Sequence, residues 1–211
     1  AEMAQQFERM GADAIELNLG CPNRGIMVGR SASETMGRYW SETPERAFRV
    51  VSAVKEAVII PVWAKFPYEI VFPKPEVTRQ MAEAGADGLD FYASVPMGMA
   101  INLETGRPVL GNPRGTGIVS GHGMKPLGVR CTVELCRRLP VPVIASGGVF
   151  GGLDVIEYIM AGAHAVGVMT GIMQKVHARD IVTEAEQFLS AAGYQSLADI
   201  RGKVLQFLPE D

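Results

Sequence analysis

The chain has 211 residues, 47% hydrophobic and 20% charged, enough for one sizeable core and ordinary for a globular domain. Its formal charge of −3 leaves no basic footprint for nucleic acid or an anionic membrane, and no apolar run reaches the about 20 residues that span a bilayer. Three cysteines, Cys21, Cys131 and Cys136, are too few and too scattered for a disulfide framework or a four-cysteine iron–sulfur cluster. No metal site is expected, and a reducing cytoplasm fits this usage best. The opening AEMAQQFERM has neither the basic start nor the apolar run of a signal peptide.

Two echoes organise the chain. Gly11-Ala12-Asp13-Ala14-Ile15, Gly85-Ala86-Asp87-Gly88-Leu89 and Gly162-Ala163-His164-Ala165-Val166 each follow an amphipathic segment and precede an apolar run. Glycine just past a helix end takes the left-handed cap cheaply, and the apolar run reads as a buried parallel strand. Between these fall Pro61-Val62-Trp63-Ala64-Lys65 and Pro142-Val143-Ile144-Ala145-Ser146. In chain order this predicts strands near 14–19, 61–66, 88–93, 142–146 and 164–169. Helices are expected near 44–57, 75–84, 127–139 and 152–161, with a final helical pair over 179–192 and 196–206. Thr43-Pro44 suits a helix start, threonine as N-cap and proline at the first helical position. Residues 101–109 read as a hairpin after the third strand, turning at Thr105-Gly106. Strict alternation of strand and helix means a parallel α/β sheet covered by helices.

In such folds the working residues gather at the carboxyl ends of the strands. Those ends carry Asn18 to Asn23, then Lys65, then Ala93-Ser94, then Ser146-Gly147-Gly148, then Met169-Thr170-Gly171. Gly147-Gly148, with Gly151-Gly152 close behind, lets backbone N–H groups approach an anion before a helix begins; the alternative is a tight turn that needs glycine for packing alone. Lys65 ends an otherwise apolar strand, placed to face an anionic ring or phosphate or simply to reach solvent. Cys21 follows a strand inside a loop of small residues, 20–42. There it serves either as a proton-transfer group with a tuned pKa or as an inert small hydrophobe. The loop composition suits a lid. Cys131 and Cys136 fall within a helix and read as packing.

Glu16-Leu17-Asn18-Leu19-Gly20-Cys21-Pro22-Asn23, Ala64-Lys65, Leu103 to Leu110, Ser120-Gly121 with Lys125-Pro126, and Ser146-Gly147-Gly148-Val149 occur in that order. From about residue 10 to 172 the chain resembles the dihydroorotate dehydrogenase and dihydropyrimidine dehydrogenase family. The resemblance implies a (β/α)8 TIM barrel that holds FMN over the carboxyl rim and acts on a small cyclic molecule. It implies Asn18 near flavin and substrate, and Lys65 on the N1 and O2 side of the ring. It implies Ser120 and Gly121 beside the flavin, Gly147, Gly148 and Thr170 around its phosphate, Asn23 on the substrate, and Cys21 as the proton-transfer residue. An electron-transfer subunit is a possible partner.

Several positions depart from the family pattern. Ala93 stands where an asparagine is usual, although Ser94 keeps a hydroxyl for substrate. Gly117-Ile118-Val119 replaces a glycine pair and leucine before Ser120. Trp40 occupies the place of the later loop cysteine of the dihydropyrimidine branch, with Ser41 beside it as a rival proton-transfer residue. These differences imply a substrate other than dihydroorotate or a plain dihydropyrimidine, though related to them. The family's first three barrel strands have no counterpart, so residues 1–211 are expected to form one partial barrel domain. Such a domain is a fragment, a homo-oligomer, or one completed by another chain. A tRNA-dihydrouridine synthase shares the Asn18-to-Pro22 pattern, but the missing basic excess and the 103–110 hairpin argue against it. A non-catalytic barrel scaffold is the remaining alternative.

Overall fold

The computed structural model describes residues 1–21, 37–41, 43–71, 75–110 and 115–209. In chain order the elements are α1 (Glu2–Arg9), β1 (Ile15–Asn18), α2 (Gly37–Trp40), α3 (Pro44–Lys55), β2 (Val62–Pro67), α4 (Tyr68–Val71), α5 (Pro75–Glu83) and β3 (Gly88–Tyr92). Then follow β4 (Val95–Met99), β5 (Thr116–Val119), α6 (Lys125–Arg138), β6 (Val143–Ser146), α7 (Gly152–Met160), β7 (Ala165–Gly167), α8 (Thr170–Met173) and α9 (Ala178–Ala191). Strands β1, β2, β3, β6 and β7 form one parallel sheet in that order, and β4 and β5 pair antiparallel apart from it.

The junctions form for the reasons their residues suggest. Gly11, Gly85 and Gly162 all sit at left-handed φ, +91°, +94° and +118°, and each is followed within a few residues by a strand. Helix α3 starts where Thr43 accepts a hydrogen bond from Arg46 N at 3.3 Å, with Pro44 at its head. Its Ala47, Val51 and Val54 are buried, the spacing of one helix face. Lys55 at its end pairs with Asp87 at 2.6 Å, and the other duty of Asp87 is to accept Val62 N at 2.7 Å. Burial opposes ionisation of Asp87, but these donors outweigh it and hold the carboxyl below the usual range. This one side chain therefore ties a helix end to the starts of two strands.

Pairing in register sorts the sheet into two faces. Leu17, Ala64, Leu89 and Val143 align across it, as do Phe66, Phe91 and Ala145. Apart from half-buried Leu17 these are buried under the helices and form the core with Val51, Met81, Cys131, Tyr158 and Ile159. The opposite, concave face carries a second set in layers. Glu16 aligns with Trp63 and Gly88; Asn18 with Lys65, Asp90, Ile144 and Ala165; Pro67 with Tyr92, Ser146 and Gly167. Glu16, Asn18 and Ala165 on this face are exposed. All the candidate chemistry of the strands lies here.

Two expectations are corrected. The hairpin after the third strand is longer than 101–109: it spans β4 and β5, and the Ile101–Pro108 bridge with the turn at Gly106 is only its tip. Residues 196–206 are not an α-helix but two 3₁₀ turns, Leu197–Asp199 and Lys203–Phe207. Gly202 at φ +69° separates them, and the Asp199 carboxylate takes the N–H groups of Gln195 and Ser196. Among the described residues no helix is long and apolar enough to cross a membrane.

Candidate active site

The carboxyl end of the parallel sheet gathers three described loops. A Cβ placed on Gly148 would lie 2.6 Å from Lys125 N and 2.9 Å from His122 O, so the turn after β6 packs directly on the segment that begins α6. A Cβ on Gly171 would lie 2.6 Å from Val149 O, so the turn after β7 abuts the same residues from the other side. The His122 ring stacks on Phe150 at 5.4 Å between centroids. Ser120 and Gly121, Gly147 and Gly148, and Thr170 are thus brought to one rim by contacts between neighbouring turns. Ser120 is exposed, Thr170 half-buried, and Gly148 buried.

The glycine turn is held firmly. Tyr158, fully buried, donates its hydroxyl to Gly147 O at 2.7 Å. Asp154 accepts Phe150 N at 2.8 Å and Gly151 N at 3.1 Å, and pairs with Lys125 at 2.8 Å. Burial resists ionisation of Asp154, but Lys125 and the two backbone donors overcome it and lower its pKa. The Glu184 carboxylate takes Gly152 N. The N–H groups of Phe150, Gly151 and Gly152 are therefore occupied by carboxylates. The turns left without such a carboxylate bond are Gly147 to Val149 and Thr170-Gly171, among the described residues. Gly147 and Gly148 adopt φ of +133° and +69°, and steric crowding alone accounts for glycine at both: a Cβ on Gly147 would fall 2.6 Å from that of Ala93.

On the concave face, Lys65 pairs with Asn18 in register from β1 and with Asp90 from β3. Its Nζ is ion-paired with Glu16. Asn18 Oδ1 accepts Gly20 N at 3.2 Å and Cys21 N at 3.3 Å. This side-chain turn bends the chain off the sheet and fixes where Cys21 begins. Cys21 is exposed; Ser41, beyond α2, is 4% exposed. Ser94 is buried and its Oγ has no hydrogen-bond partner among the described residues. Ala93 is buried among core residues, near Gly128 and Gly147. Asn23 and most of the 20–42 loop lie outside the described residues. Cys131 and Cys136 are buried and half-buried in α6, and burial pushes both thiols up to about 12. Among the described residues no cluster of three metal-ligating side chains occurs.

The profile of the dihydroorotate dehydrogenase family matches residues 1–189. The chain belongs to that family. It is 38% identical over 194 residues to the dihydroorotate dehydrogenase B (NAD(+)) catalytic subunit of Methanothermobacter thermautotrophicus, covering 90% of this chain and 60% of that one. It is 32% identical over 211 residues to the same subunit of Methanocaldococcus jannaschii, covering 100% and 59%. The fold matches the dihydroorotate dehydrogenase of Eimeria tenella, solved with ferulenol, with a TM-score of 0.70 at 22% identity over 98% of this chain and 58% of that one. The chain thus spans about 60% of the length of the curated relatives it matches.

The family and its TIM-barrel type of fold are those expected from the ordered motifs. Sequence reasoning missed three residues on or beneath this end of the sheet. Tyr158 and Asp154 fasten the glycine turn from below, and nothing in the α7 sequence marks them except a polar side chain on a buried helix face. Asp90 is the third. It is a carboxylate inside the otherwise apolar run Gly88 to Tyr92, and that misfit is the one signal it offers.

Proposed function

We propose that the chain is the FMN-binding catalytic portion of an oxidoreductase that acts on a carbon–carbon bond of a small cyclic, pyrimidine-like substrate. The observation that carries this reading is Lys65: an ammonium on the concave face at the carboxyl end of a parallel sheet, registered beside Asn18 in a chain of this family. The residues present fit the cofactor. Lys65 supplies a cation for an electron-rich ring edge. Ser94 Oγ is a buried hydroxyl awaiting a partner. The turns at Gly147-Gly148 and Thr170-Gly171 lie side by side at the rim, where their backbone N–H groups would meet an anionic tail. Asn18, Lys65, Ser120, Gly121, Gly147, Gly148 and Thr170 would hold FMN, with Ser94 and Asn23 toward the substrate.

FMN, when bound, supplies hydride chemistry. The chain supplies position and the proton. Cys21 Sγ, exposed just beyond the strand that carries Asn18, is the group we assign to proton transfer at the substrate carbon, with Ser41 ranked second. An asparagine at position 93 would have to point into the core between α6 and the glycine turn, so the substrate is held here without that side chain. The relatives are named catalytic subunits, which supports a separate electron-transfer subunit as partner.

The test is direct. Purified protein reconstituted with FMN should show a flavin absorption band that is bleached by a dihydropyrimidine-type substrate under anaerobic conditions. Protein that takes up no flavin, alone or with a partner subunit, overturns the reading.

A further inference from the structure

Asp90 is 8% exposed, and its Oδ1 is buried with no hydrogen-bond partner among the described residues. It stands on β3 opposite Lys65 of β2 and Ile144 of β6. A buried carboxylate oxygen without a donor is strongly disfavoured when ionised. Glu16, one layer deeper on β1, holds Nζ of Lys65, the residue that stands beside Asp90 in register. Two carboxyl groups and one ammonium thus share one site. Like charges at contact do not both ionise, whereas one proton between them turns repulsion into an O–H···O bond.

We propose that Asp90 and Glu16 hold one proton between them, and that this carboxyl pair positions the Lys65 ammonium. Asp90 Oδ–H donates, Glu16 accepts, and Glu16 keeps its hold on Lys65. The inference rests on the flavin reading above and deepens it: Asp90 is a positioning residue that acts through Lys65. With the proton in place the cluster is neutral, one ammonium against one shared negative charge. Without it two carboxylates face one ammonium, and the net negative charge repels an anionic group arriving at the rim. Burial first, then Glu16, push the Asp90 carboxyl up to about 8, while Lys65 pulls the other way. Loss of the proton therefore falls well above the ordinary carboxylate range.

The experiment has two arms on the full chain. In the first, the carboxyl carbons of ¹³C-labelled aspartate are followed by NMR from pH 4 to 10 without flavin, the Asp90 signal being identified by its loss in Asp90→Asn. Asp90 should titrate far above the ordinary aspartate range, and its midpoint should fall by about one unit or more in Glu16→Gln. An ordinary midpoint in the unmodified chain, or one unmoved by Glu16→Gln, overturns the shared proton. In the second, FMN dissociation constants are measured at pH 7 and 9. Asparagine imitates the protonated carboxyl, so binding should weaken severalfold more in the unmodified chain than in Asp90→Asn. Equal pH dependence in the two overturns the positioning role. No FMN binding by either protein overturns the flavin reading and that role together, while the NMR arm still decides the shared proton.

Discussion

Cys21 lies just past the end of β1 and Lys65 two residues before the end of neighbouring β2, and the tasks proposed for them demand opposite surroundings. A thiol that moves a proton must reach its substrate, and Cys21 is exposed. An ammonium that tunes an electron-rich ring must be held, and Lys65 is pinned to Glu16. General acid–base groups contribute roughly 10²- to 10⁴-fold. Cys21→Ala is therefore expected to keep its flavin and lose at least about 10²-fold in turnover, with Ser41→Ala nearly unaffected; stopped-flow assay of the two side by side decides between them, and the reverse pattern moves the chemistry to Ser41. Lys65→Met is expected to lower the potential of bound flavin by about 30 mV for each tenfold loss of preference for the reduced form. Spectroelectrochemical titration measures it, and an unchanged potential removes Lys65 from that role. These residues are legible in the sequence because each ends an apolar run inside a recognisable string. Asp90 is not: one carboxylate in one strand has no period, and what makes it matter is a neighbour 74 positions away in the chain, Glu16.

Among the elements, the start of α7 is the most heavily fastened. Asp154 lies at its third position and satisfies two N–H groups before the helix, while Lys125 reaches across from α6. Asp154→Ala removes these bonds and leaves Lys125 with Glu157 alone at 2.7 Å. We expect it to cost about 1–3 kcal/mol, seen as a lower urea midpoint, and Asp154→Asn to restore only part; a loss below about 0.5 kcal/mol would show that the turn is held by Tyr158 and packing. The helix-to-strand junctions are readable because glycine at left-handed φ followed by an apolar run is a local signal. The hairpin is not read in full because β4 and β5 expose Val95, Met99, Ile118 and Val119 and carry Gly98 opposite Gly117. Their pairing is decided by contact with each other rather than by burial on one face. The 196–206 segment misleads in the opposite way: its apolar spacing suits a helix, but Gly202 and the bonds of Asp199 break it into shorter turns.

For the molecule as a whole, carboxylates pull stability in two directions as pH changes. Asp87 and Asp154 have depressed folded-state values. The stability they contribute is present above the ordinary 3.8 and is lost as pH falls through their lowered values. Asp90 is raised from 3.8 to about 8. Between those values the unfolded chain has lost this proton and the folded chain keeps it, so stability declines as pH rises, by up to about 1.4 kcal/mol per unit. Thermal melts of the unmodified chain should therefore weaken from pH 5 to 8 relative to Asp90→Asn, and the two should converge near pH 4. Parallel profiles for the two proteins would count against a raised Asp90.

The middle layer of the concave face runs Asn18, Lys65, Asp90, Ile144, Ala165. Its floor is polar under three strands and hydrocarbon under two. A flat ring with one polar and one greasy edge settles on such a floor in one of its two ways round, because the other buries charge against methyl groups. Such a ring would point its polar edge toward Asn18, Lys65 and Asp90 and its apolar edge toward Ile144 and Ala165. The direction of the ring across the sheet is thereby set by its edges, whichever of its faces lies down.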